Sequence, residues 1–169
     1  ILGLASAYEK SGATADSWTM LSEFVDLIKQ SSSDAVQQRQ LLTQGTELAK
    51  TLLKSVPPSF KQRYLAAQML YLSKHYEESL ALMKEMLPVG TPDADFFNLL
   101  GLVQGALNQL AEAAQSIIHA IELAPERADL VFNLAGLYQK AGDNKSVIKV
   151  LNQALSQGKR TPEIHFALG

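Results

Sequence analysis

The sequence predicts an all-α fold, a stack of about nine antiparallel helices, from its period, its apolar spacing and its composition. Gly101, Ala135 and Gly169 stand 34 residues apart, each within one local pattern: Phe97-x2-Leu100-Gly101-x2-Gln104, Val131-x2-Leu134-Ala135-x2-Tyr138 and His165-x2-Leu168-Gly169. Hydrophobic residues make up 47% of the 169, with only 6 Pro and 10 Gly to interrupt helices. A fixed period of this length marks an array whose units bury their cores between neighbours, around no single centre.

Taken in chain order, residues 1–33 form a degenerate first unit. Leu4-Ala5-x2-Tyr8-x-Lys10-x-Gly12 repeats the spacing of Leu134-Ala135-x2-Tyr138-x-Lys140-x-Gly142, but the two windows lie 130 residues apart, six short of four periods. The phase therefore breaks between them. Residues 34–59 take up the break, as an extra solitary helix from about Asp34 to Ser55 and a Pro-Pro linker. Leu41, Leu42, Gly45, Leu48, Ala49, Leu52 and Leu53 give this helix its apolar period, and Ser31-Ser32-Ser33-Asp34 supplies its N-cap. Val56-Pro57-Pro58-Ser59 ends it. A second parse stays open: Trp18-x2-Leu21-Ser22-x2-Val25 starts a unit whose second helix carries Gly45, Ala49 and Leu52 after an insertion.

Regular units follow at 60–93, 94–127 and 128–161, and 162–169 begins another. In the second of these, Gly101, Ala113 and Ala120 are small where two helices approach closely. Phe97, Leu100 and Ile117 fill the spaces between helices, and Pro125 stops the second helix. The next unit repeats this with Leu134, Ala135, Tyr138, Gly142, Val147, Leu151 and Ala154. One period upstream, Ala66, Ala67, Leu70, Ser79, Met83 and Met86 take the equivalent places, with Arg63 at the bulky site. This set of residues resembles the tetratricopeptide repeat family. The resemblance implies a right-handed α-α superhelix of helix pairs and a non-catalytic scaffold that binds protein or peptide partners. An alternative is the regulatory or substrate-docking arm of a larger enzyme or secretion or envelope-assembly protein. The chain opens at Ile1 and stops at Gly169 inside expected helices, so a segment of a longer repeat protein is expected.

Composition narrows the chemistry. A net charge of −2 gives no electrostatic case for nucleic acid, and no apolar run approaches a membrane span. Without cysteine there are no disulfides and no thiolate nucleophile. His75, His119 and His165 fall in different units, with no spacing that aims two ligands at one metal. No glycine-rich phosphate loop occurs. The acidic pairs Glu77-Glu78 and Glu122 with Glu126 read as solvated turn and helix-end charges, and Met69, Met83 and Met86 as core filler. No catalytic residue, cofactor or metal is therefore expected.

The expected site is the concave surface that the family forms from the first helix of each pair. The resemblance selects Lys61, Tyr64, Gln68 and Tyr71, then Asp95, Asn98, Leu102 and Gly105, then Asp129, Phe132, Asn133, Gly136 and Gln139. The family's carboxylate clamp corresponds here to Tyr64, Gln68, Leu99, Asp129 and Asn133, which bring no positive charge together. Tyr64, Tyr71, Leu102 and Phe132 suit an apolar peptide or helix, with Gln68, Asn98 and Asn133 as polar partners. Self-association through an uncapped edge at 162–169 is a further expectation.

Overall fold

The computed structural model describes residues 14–30, 35–55 and 57–156. Within them run eight α-helices: α1 (Thr14–Gln30), α2 (Ala35–Ser55), α3 (Phe60–Leu72), α4 (Tyr76–Met86), α5 (Ala94–Ala106), α6 (Leu110–Leu123), α7 (Ala128–Lys140) and α8 (Asn144–Ser156). One 3-10 turn, Leu87–Val89, follows α4, and no strand occurs among the described residues. The fold is the all-α helix-pair solenoid that the period predicts. The expected helices at Leu4–Gly12 and 162–169 lie outside the described residues. Two compact units meet at Gly90 and Thr91, one holding α1–α4 and the other α5–α8.

In the first unit, Trp18, Leu21, Val25 and Ile28 form one buried stripe of α1. That stripe packs with Leu48, Ala49 and Leu52 of α2 and with Ala66 and Met69 of α3. The second helix is the longest described, at 21 residues. It packs on α1 as well as on α3. The physical reason is the apolar stripe of α1, which would otherwise face water and which α2 covers.

Ser59 starts α3 with a reciprocal cap. Its Oγ accepts from the Gln62 N–H, and Gln62 Oε1 accepts from the Ser59 N–H at 2.9 Å. In α4, Ser79 is fully buried and its Oγ donates to Ala67 O at 2.9 Å, fixing the register of α4 on α3. Met69, Met83 and Met86 have no exposed surface and are core.

The second unit shows why small residues are needed. Gly101 and Ile117 touch so closely that a Cβ on Gly101 would lie 2.5 Å from Ile117 Cγ1 and 3.0 Å from Ala113 O. Asp93 caps α5 by accepting from the Phe96 N–H, and Asp143 caps α8 through the N–H and hydroxyl of Ser146. The large buried ring of α5 is Phe96, whereas Phe97 is half-buried, edge-on to Phe96 and to His119. The expected filler position is thus shared between the two rings, with the deeper one a residue earlier.

Three of the described turns, each between the helices of a pair, share one backbone. Lys74, Asn108 and Gly142, 34 residues apart, have φ of 63°, 62° and 74°. At each, the next residue's N–H donates five residues back (His75 to Leu70 O, Gln109 to Gln104 O, Asp143 to Tyr138 O) while its own N–H donates three back. This pair of hydrogen bonds closes the helix C-terminus and requires a left-handed residue. Glycine and asparagine adopt that conformation readily, but lysine does so at a cost of about 1 kcal/mol.

Candidate functional site

Each unit presents its candidate residues on the first helix of a pair. In the first unit, Tyr64, Gln68 and Tyr71 fall on α3 at spacings of four and three, and all three are half-buried. The Tyr71 ring lies 5.8 Å from that of Tyr76, centroid to centroid, at a tilt of 49°. Burial, and secondarily the neighbouring Tyr76, push the Tyr71 phenol above its ordinary range. This tyrosine therefore stays neutral and keeps its O–H as a donor.

In the second unit, Asn98 and Leu102 come from α5, Phe132 and Asn133 from α7, and all four are half-buried. Asn133 Nδ2 donates to Asn98 Oδ1 at 2.9 Å. The bond ties the two first helices together and leaves the Asn98 amide N–H groups and the Asn133 oxygen for other partners. Lys140 Nζ donates to Gly105 O at 2.6 Å, placing a cation on the C-terminal carbonyls of α5. Gly105 is buried, because Leu137 packs on it; it is not an exposed groove position as expected. Leu99, at a clamp position, is buried too.

Asp129, another clamp position, is already engaged. Arg127 Nη2 and Nε reach its two oxygens at 2.7 and 3.1 Å, and Nη1 bonds Asp95. The Arg127 hydrogen bonds hold the Asp129 carboxyl below the usual carboxylate range, and the two aspartates raise the arginine further. Both carboxylates lie in the first turns of α5 and α7, where the helix dipole favours them.

Phe132 has a double role. It packs beside Val131, Ala135, Leu151 and Ala154, and it also lines an open cleft of about 580 Å³ between α7 and α8 with Gly136, Val147 and Ile148. One period earlier, Gly105, Ala113, Ala114 and Ile117 are the residues on which α7 itself sits. The cleft is therefore built like a seat for a further helix. Residues 162–169, expected to form the uncapped edge there, lie outside the described residues.

Among the described residues no three His, Cys, Asp or Glu gather as a metal site, and no helix is long and apolar enough to cross a membrane. His119 is engaged with the Phe97 ring and with Glu122. His75 Nδ1 donates to Ser73 O at 3.1 Å in the α3–α4 turn, since a carbonyl only accepts.

Comparison with known proteins agrees with this geometry. A family model described as tetratricopeptide repeat matches residues 106–168. No curated protein matches the sequence. Among solved structures, MamA 41-end from Desulfovibrio magneticus RS-1 is similar at a TM-score of 0.63 and 18% identity, covering 93% of this chain and 92% of that one. A second MamA crystal structure has a TM-score of 0.65 at 15% identity over 82% of each chain. YrrB, described as a TPR protein with an unusual peptide-binding site, has a TM-score of 0.62 at 13% identity over 92% of this chain and 83% of its own. Residues 106–168 belong to the tetratricopeptide repeat family, and the described helices around them carry the same fold.

Proposed function

We propose that the chain is a non-catalytic scaffold that binds a peptide or a helix of a partner protein on the first-helix faces of its pairs. The observation that carries this reading is the face of the second unit. There Asn98 and Asn133 hold each other and keep amide groups available beside half-buried Leu102 and Phe132. Amide side chains beside apolar ones suit an extended peptide, whose backbone needs donors and acceptors and whose side chains need apolar seats. Tyr64, Gln68 and Tyr71 give the first unit a comparable face. The fold of YrrB, whose description names a peptide-binding site, supports the same use.

We also read the repeat boundaries from the packing: one unit from α1 and α2, then units beginning near residues 60, 94 and 128. The long α2 accounts for the phase break in this division.

Selection from a random displayed-peptide library against the full chain tests the function. A defined sequence class should emerge, and Tyr64→Ser with Phe132→Ser should weaken its binding while the melting temperature stays within a few degrees. Loss of stability instead of binding would make these residues core and end the proposal.

A further inference from the structure

The long helix α2 creates a second recess in the first unit. It has 21 residues against 13 in α3, so its N-terminal half runs past the α3–α4 turn. Where helix and turn meet, Arg39, Thr43, Gln38, Lys74 and His75 line a cleft of about 620 Å³, with Leu42 and Leu72 as its apolar lining. Thr46, in the same cleft, is buried and bonded to Ser73, so turn and helix are locked together.

Two features point to a ligand. Among the described residues, neither the Arg39 guanidinium nor the Lys74 ammonium has a side-chain partner. Lys74 is also the strained member of the three equivalent turns, standing where the others have Asn108 and Gly142. A costly residue kept at a cleft rim is best explained by what its side chain does there. The lone acid, Glu47, lies two turns along α2 from Arg39, about 12 Å away at the helical rise.

We propose that this cleft binds a short acidic stretch of a protein partner, at a site separate from the first-helix faces. Arg39 and Lys74 meet carboxylates, with Arg39 able to do so through two parallel N–H donors. Thr43 gives its hydroxyl proton to Arg39 O, so its oxygen remains an acceptor for a peptide N–H. Gln38 supplies a donor and an acceptor together. His75 Nδ1 is held by Ser73 O, which leaves Nε2 as the ring's remaining polar atom. A cleft of this size, with apolar lining between its polar groups, exceeds the needs of a single small anion.

Blocked hexaglutamate, titrated into the full chain at low salt by calorimetry, tests the site. Saturable binding is expected, weakening as salt rises. Lys74→Gly should bind about tenfold more weakly, as should Arg39→Gln. The glycine variant should nevertheless melt higher than the parent, because glycine relaxes the left-handed turn, so weaker binding is not confused with unfolding. Lys84→Gln, on an exposed part of α4 outside the cleft, should bind normally. The proposal is overturned by absence of saturable binding, by an equal loss in Lys84→Gln, or by inorganic phosphate displacing the peptide at matching concentration. None of these results bears on peptide binding by the first-helix faces, which Tyr64→Ser and Phe132→Ser report.

Discussion

Asn133 on α7 donates its side-chain N–H to the side-chain oxygen of Asn98 on α5, at 2.9 Å, thirty-five residues apart in the chain. The offset is one residue more than the repeat, so the two asparagines are diagonal neighbours and not equivalents. Removing one leaves its half-buried partner to find water. Asn133→Ala should cost about 1 kcal/mol in urea unfolding, and the double variant with Asn98→Ala little more than either single change. Additive losses would show that the bond contributes no coupling.

Gly101 should tolerate no larger side chain. With Ile117 Cγ1 at 2.5 Å from an added Cβ and Ala113 O at 3.0 Å, the α5–α6 pair must spread. Gly101→Leu is expected to destabilise by roughly 1–3 kcal/mol through overpacking. Gly136, which meets nothing within 4 Å of an added Cβ, is the control; Gly136→Ala should be neutral or stabilising.

Tyr71 should make the first unit sensitive to alkali. Its phenol is raised in the folded chain, first by burial and then by Tyr76, so the folded state holds the proton more tightly than the unfolded one. The stability this contributes is complete below the ordinary phenol value of about 10 and is lost as pH rises through the folded value. Tyr71→Phe should flatten that limb of a stability profile between about pH 9 and 12. An unchanged slope would mean that another group titrates there.

Arg127 should govern part of the acid limb. The carboxyl of Asp129 is depressed, so its contribution is present above the ordinary value of about 4 and is lost as pH falls through the folded value. The side chains are 30% exposed for Arg127 and 56% for Asp129, so screening keeps the pair to about 0.5–1 kcal/mol. Arg127→Ala should lower the stability at neutral pH by that amount and lose less on acidification than the parent does. Added salt should narrow the difference between the two.

The sequence carries the second unit almost completely. Its period, Gly101 against Ile117 and the Pro125 stop all rest on steric rules that act locally. Other features were hidden because they depend on which face meets which. Trp18, Leu21 and Val25 show an amphipathic helix but do not name its cover, which residues of both α2 and α3 supply. Phe96 and Phe97 are adjacent, and only helix orientation decides which goes inside. The candidate faces were legible as residue types, but the Asn98–Asn133 bond joins positions that a search at the repeat spacing does not align. Lys74 carried a usable signal: it occupies the place of Asn108 and Gly142 in a turn whose geometry favours small residues.

Among the described residues, the helices of each unit make their main contacts with chain neighbours and next-but-one neighbours. Closing such contacts requires only short loops, so little chain entropy must be lost before the first apolar contacts form. Each helix pair can then gain structure rapidly and pass it to the next by adjacency. Damage should spread by the same short steps. In amide exchange, Gly101→Leu should expose α5 and α6 first and α7 next, with protection fading over one pair and not across a whole unit at once.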